Sequence, residues 1–273
     1  MAATEREYVL GTGDAELARL GFQHQVWAAA TAAAWERAGF RPGARILDVG
    51  CGPGYGTFDL AHLVGPSGRV LAVDVSQRFV AYLDDERRRR GLEQVEAHVA
   101  DLESLSVPAA SVDGAFARWV LCFLRQPEVI VQHVARALRP GGAFVVMDYC
   151  HYEGFTVAPR GAAIERVVAA TARSFRRHGG DPNVGSAVPA FMRGAGLEVR
   201  TLRPLVRLAR PGSALWEWPG SFFAGYTASL VKMGELTDEE RLAFAREWEE
   251  RSRSPDAFLL TPPMVEVTGF KPA

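Results

Sequence analysis

"ILDVGCGPGYG", residues 46–56, decides the fold. A short apolar run passes an aspartate and enters a loop holding Gly50, Gly52, Gly54 and Gly56. Such a loop lets something approach the main chain closely, because only glycine brings no Cβ to the contact. A dinucleotide cradle would need G-x-G-x-x-G. Counted from Gly50 the sixth position is Tyr55, and counted from Gly52 it is Thr57, so neither register fits. Pro53 also removes an N–H that a phosphate cradle would use.

Outward from this loop, strand and helix patterns alternate. "TFDLAHLV" reads as a helix stopped by "GPSG", and "RVLAVD" as a second strand. Ser76 is an N-cap for a helix running to Gly91. "VEAHVAD" and "VDGAFARW" are the third and fourth strands. "PEVIVQHVARAL" is a helix with Pro127 in its first turn and Ile130, Val134 and Leu138 on one face. "PGG" at 140–142 breaks it before a fifth strand, "AFVVMDY". The alternation predicts an α/β fold: a doubly wound, mostly parallel seven-stranded sheet covered on both faces.

Helical additions are expected at both ends. Asp14 to Ala38 reads as one or two helices weakened at Gly21. Downstream, a helix from about Pro159 carries the stripe Ile164, Val167, Val168, Thr171 and Phe175. A loop, a short helix and a sixth strand around "LEVRTLRPL" follow. Residues 211–255 read as helical, with Thr237 and Glu240 as a capping-box pair. "FLLTPPMVEVTGF" is a final strand with an irregular entry at Pro262 and Pro263. The predicted organisation is a single unit over 1–273: a helical lid at 1–40, a core at 41–150, then the rest of the sheet at 151–273 with a helical cap around 211–255.

Composition narrows the partners. Of 273 residues 48 % are hydrophobic, and 31 basic against 32 acidic residues leave a net charge of −1. No nucleic-acid or anionic membrane partner is expected from that balance. "MAATEREYVL" holds no apolar signal core, and "VWAAATAAAW" (26–35) is too short to span a bilayer, so a cytoplasmic location is expected. Cys51, Cys122 and Cys150 lack paired ligand spacing; they read as reduced thiols, with no metal expected. The RRRR run at 87–90 ends a predicted helix and reads as a solvated face.

The run D-V-G-C-G-P-G-Y-G resembles the first motif of the class I methyltransferases, which bind S-adenosylmethionine on a Rossmann-like sheet. "ARWVLCFLRQPEVIVQHVARALRPGGAFVVMD" is similar to the fourth-to-fifth-strand passage of the ubiquinone and menaquinone methyltransferase branch. The likeness covers about 44–150, and more loosely "YVLGTGDAELARLGFQHQVW" and "GGDPNVGSAVPAFMRGAGL". It implies a cofactor set of Gln23, Asp48, Gly50, Gly52, Gly54, Asp74, Val75, Asp101, Leu102, Arg118 and Trp119. Asp74, twenty residues past Gly54, would accept from the ribose hydroxyls. Asp101 would meet the adenine amino group and the Leu102 backbone the ring. The backbone near Arg118 and Trp119 would face the methionine part, and Arg19 and Gln23 its carboxylate.

The expected chemistry is in-line transfer of a methyl group to an O, N or C nucleophile of a small organic acceptor. His24 and His151 are the candidate bases, since histidine titrates near neutrality. Tyr8, Trp27, Tyr149, Tyr152, Trp216, Phe222 and Tyr226 are candidates for the acceptor pocket, along with Trp218 and Phe223. The rings from Trp216 to Tyr226 form either a pocket wall or a contact with a second copy of the chain. No N-P-P-[YF], Pro-Cys or double-glutamate signature of macromolecule-modifying enzymes is present. Two alternatives remain at this level: a domain that binds the cofactor without transfer, and a nicotinamide-dependent oxidoreductase.

Overall fold

Helix α1 (Asp14–Arg37) opens the part of the chain described by this computed structural model, residues 11–273. Tyr8 lies outside the described residues. The helix is single rather than broken at Gly21. A Cβ there would stand 3.1 Å from the Tyr55 ring, whose hydroxyl donates to the Leu17 carbonyl at 3.1 Å. The glycine admits a tyrosine from another helix, and that contact offsets its roughly 1 kcal/mol helix penalty.

The alternation then proceeds as β1 (Arg45–Val49), α2 (Tyr55–Val64), β2 (Arg69–Asp74), α3 (Gln77–Arg89), β3 (Val95–Val99), β4 (Val112–Arg118), α4 (Pro127–Ala137) and β5 (Leu138–Tyr149). After these come β6 (Thr156–Ala158), α5 (Ala162–Arg177), α6 (Val188–Gly194), β7 (Glu198–Leu205), β8 (Leu208–Ala209), α7 (Ala214–Lys232), α8 (Asp238–Arg253), β9 (Phe258–Leu260) and β10 (Met264–Phe270). The seven-stranded sheet has the order β3-β2-β1-β4-β5-β10-β7. Its first five strands are mutually parallel, and β10 is antiparallel to both neighbours. Because β1 lies between β2 and β4, the winding reverses beside its C-terminal end, which is where open α/β sheets bind ligands.

Strand periodicity divides the core. Leu47, Ala117 and Val146 pack on one face, while their neighbours Ile46, Phe116 and Val145 pack on the other. A third cluster, with Val167, Trp216, Phe223 and Phe244, joins α5, α7 and α8. The capping box at α8 is formed as expected, and Ser76 caps α3 by accepting from Phe79 N–H. Arg87 and Arg88 pair with Asp84, and Arg89 and Arg90 with Glu86, so the basic run is partly compensated within its own helix.

Two boundaries differ from expectation. The final strand is two strands in two sheets: β9 is the middle of a separate three-stranded sheet, β6-β9-β8, while β10 enters the main one. Pro262 and Pro263 separate them, since neither can donate to a ladder. The fifth strand begins at Leu138, before the glycines, because Gly141 and Gly142 exchange hydrogen bonds of 2.9 and 2.8 Å with Lys271 beyond the end of β10.

Candidate active site

The glycine loop is held from inside. Gly50 and Cys51 N–H both donate to the Val73 carbonyl, Gly52 N–H donates to Asp74 Oδ2 at 2.8 Å, and Gly54 N–H donates to Cys51 O. With Pro53 lacking a hydrogen, the loop from Gly50 to Gly54 has no N–H left for a phosphate. Gly50 has φ +66°, and a Cβ on it would lie 2.5 Å from a Val120 methyl. A Cβ on Gly52 would instead project into open space. The loop is therefore packed beneath and bare above.

Above it lies a cavity of about 380 Å³. Asp48, Asp74 and Asp101 stand on its walls near the ends of β1, β2 and β3. Asp74 also accepts from Ser76 N–H at 2.9 Å, and Asp48 from Thr57 Oγ1 at 2.7 Å. Burial pushes Asp48 up to about 6, against the pull of Thr57 and Arg118. It raises Asp74 as well, opposed by its backbone N–H donors. Arg118, buried beside Asp48, is lowered by desolvation to about 10. Its guanidinium donates to Thr31 Oγ1 at 2.6 Å and to His24 Nδ1 at 3.1 Å.

The opposite wall is aromatic. Trp119 adopts φ +54°, a left-handed backbone that is costly for a bulky residue and recurs at functional turns. That conformation sets its indole between Tyr149 and Trp218, stacked on each with centroids 6.2 and 5.8 Å apart. Tyr152, Phe123, Phe155, Phe175, Phe222 and Phe223 complete the lining.

Ten of the eleven residues expected to hold a cofactor line this cavity: Gln23, Asp48, Gly50, Gly52, Asp74, Val75, Asp101, Leu102, Arg118 and Trp119. Gly54 sits behind the wall, where a Cβ would meet Leu83 at 2.4 Å. Arg19 lines the cavity too. Of the acceptor candidates, Tyr149, Tyr152 and Phe222 line it, as do Trp218 and Phe223. Trp27 is a correction: fully buried, it packs edge-on behind Trp119 and Trp218. Trp216 is another, since its indole N–H donates to Ser252 and its ring packs on Trp248, inside the α7–α8 contact. Tyr226 also lies behind the wall, its hydroxyl hydrogen-bonded to Ser174 and its ring stacked on Phe222. Trp216, Trp218, Phe223 and Tyr226 are buried within the chain, and Phe222 is half-buried.

The candidate bases fare differently from expectation. A guanidinium only donates, so His24 Nδ1 accepts from Arg118 and Nε2–H donates to Asp59 Oδ2 at 2.9 Å. Neither nitrogen is free to take a proton from a substrate. His151 is exposed and does not line the cavity; its backbone N–H donates to the Pro263 carbonyl. Residues that the sequence did not single out for the site include Phe123, Arg125, Phe155, Phe175 and His178. Phe175 stood only as part of a core stripe, because a helix pattern does not say which neighbour a face meets. Among the described residues, no cluster of side chains has the make-up of a metal site, and no helix is long and apolar enough to cross a membrane.

Residues 47–146 match a family described as "Methyltransferase domain". This stretch is similar to a methyltransferase domain. A nocamycin O-methyltransferase from Saccharothrix syringae is 35 % identical over 102 residues, 37 % of this chain and 36 % of that protein. A demethylmenaquinone methyltransferase from Lactococcus lactis is 30 % identical over 129 residues, 47 % of this chain and 50 % of that one. The chain spans half or less of the length of these curated relatives. The crystal structure of the [4+2]-cyclase SpnF superposes with a TM-score of 0.58 at 22 % identity, covering 90 % of this chain and 81 % of that one. That likeness concerns the fold alone. The nicotinamide alternative finds no support: the match and the fully bonded loop both point away from a pyrophosphate site.

Proposed function

We propose that this chain transfers the methyl group of S-adenosylmethionine to a small organic acceptor in the cytoplasm. One observation carries the reading: three carboxylates face the cavity beside a glycine loop whose N–H groups from Gly50 to Gly54 are bonded inward. Such a wall fits a nucleoside with a net positive tail, and its three carboxylates disfavour a phosphate. Asp74 would accept from the ribose hydroxyls and Asp101 from the adenine amino group. Leu102 would lie on the ring, Gly52 would give the bare approach, and Gln23 and Arg19 would reach the tail carboxylate. Arg118, Trp119 and Val75 would close the walls. When bound, the cofactor supplies an already activated methyl group. The protein then holds acceptor, carbon and sulfur in line, a positioning worth roughly 7–11 kcal/mol.

Calorimetric titration with S-adenosylhomocysteine, with NAD in parallel, tests the binding. Labelled methyl transfer to a panel of phenols, amines and quinols tests the reaction. Heat from NAD alone would overturn the reading.

A pH dependence follows from the raised carboxylates. A bound cation favours ionised Asp48, which faces Arg118, Asp74 and Cys51 and so is not free to shift independently. Affinity for S-adenosylmethionine should fall as pH drops through about 6, becoming about tenfold weaker at about pH 5 than at about pH 7.5. Folding responds with the opposite sign. A carboxyl raised in the folded state adds stability that is present below its unfolded value and is lost as pH rises through about 6. Calorimetry across this range checks the first effect; an affinity that stays flat would remove Asp48 from the cofactor's surroundings.

A further inference from the structure

The two indole N–H groups of the aromatic wall are engaged. Trp119 Nε1 donates to Met264 Sδ and Trp218 Nε1 to Gln23 Oε1, both at 3.0 Å. Tyr149 differs. It ends β5, where its ring lies flat against Trp119 and edge-on to Tyr152 at 5.1 Å. Among the described residues its hydroxyl has no hydrogen-bond partner, and the side chain lines the cavity. Tyr149 is half-buried, so a ligand that covers this hydroxyl must replace the hydrogen bond that water otherwise makes to it. Burial pushes this phenol well above its ordinary value, so it remains protonated and acts as a donor.

Charge on this side is one-signed. The cavity's carboxylates are Asp48, Asp74 and Asp101, all from the β1–β3 side. The segments after β4, at the end of β5 and in α5 and α7 contribute no Asp or Glu to the lining, Asp148 being fully buried behind Tyr149; Arg125 and His178 are the basic side chains there. An ammonium acceptor would find no carboxylate on this side, only the weaker attraction of the ring faces, and would sit near Arg125. A planar, oxygen-bearing molecule would stack beside Trp119 and offer a lone pair to the Tyr149 hydroxyl.

We propose that the acceptor is a planar, neutral or anionic arene carrying oxygen, and that Tyr149 selects it by donating a hydrogen bond from its hydroxyl to that oxygen. This inference rests on the proposed function. Its test needs no turnover: equilibrium dialysis of 1-naphthol, naphthalene and 1-naphthylmethylammonium against the protein saturated with S-adenosylhomocysteine. The wild type should bind naphthol about tenfold more tightly than naphthalene, and the ammonium probe most weakly. Tyr149→Phe keeps the ring and should erase the difference while leaving naphthalene unchanged.

A naphthol preference that survives the substitution would overturn the proposal, as would equal weakening of both probes or an ammonium probe that binds best. Retained S-adenosylhomocysteine binding with no naphthyl probe bound would overturn the acceptor class and leave the cofactor reading intact. Loss of S-adenosylhomocysteine binding by the wild type would overturn both.

Discussion

Asp74→Ala folds and binds S-adenosylhomocysteine at least about a hundredfold more weakly than the wild type. The carboxylate holds two jobs on opposite sides. One oxygen accepts from Gly52 N–H and the other from Ser76 N–H, fixing the loop above β1 to the first turn of α3. Their remaining lone pairs are the acceptors proposed for the ribose diol. Hydrogen bonds to a charged group are worth about 1.5–3 kcal/mol each, so losing the diol contacts alone amounts to roughly two powers of ten. The orphaned N–H groups would cost about 1–3 kcal/mol of stability in addition. Asp74→Asn keeps one strong acceptor and should lose about tenfold. Calorimetry on the three proteins orders them; an Asp74→Ala affinity within threefold of wild type would detach this residue from the sugar.

This residue was legible in the sequence because its surroundings are local. Val70 to Val73 form a buried parallel strand, a glycine loop precedes it and a serine cap follows, and each pattern is written within a few positions. The same holds for β1, β4 and the helices between them. The small sheet was not legible, since β6, β8 and β9 have three, two and three residues, too few to display alternation. The aromatic wall was read in part. Trp218, Pro219, Phe222 and Phe223 share one face of α7, and Trp216 stands about 200° around from Trp218. Helical spacing separates those faces but does not say which one meets a cavity whose other walls come from β5 and α5. His24 failed as a base for the same reason. Its partners Asp59 and Arg118 lie 35 and 94 positions away, and only the fold shows both ring nitrogens taken.

The second large effect concerns the far end of α1. Arg37 grips Glu266 of β10 through two parallel hydrogen bonds, Nε to Oε1 at 3.0 Å and Nη2 to Oε2 at 2.5 Å. Glu266 is fully buried in the sheet, whereas the Arg37 side chain is 35 % exposed. The pair raises the Arg37 pKa, chiefly through its hydrogen bond to Glu266. Arg37→Ala would strand a carboxylate in the interior, the arrangement in which breaking a buried pair costs 3–5 kcal/mol. Water entering past the shortened side chain places the expected loss at the lower end, about 3 kcal/mol, or roughly 6–12 °C in Tm. Arg37→Met combined with Glu266→Leu removes both charges and should recover most of that loss, because no unpaired charge remains. Thermal and denaturant unfolding of the single and double variants decides the point. A single variant as stable as wild type would mean that Glu266 finds another partner. A double variant no better than the single would mean that the two-hydrogen-bond geometry itself holds α1 on the sheet. Since α1 also carries Gln23 and His24 into the cavity, the single variant should show weakened S-adenosylhomocysteine binding along with its lower Tm.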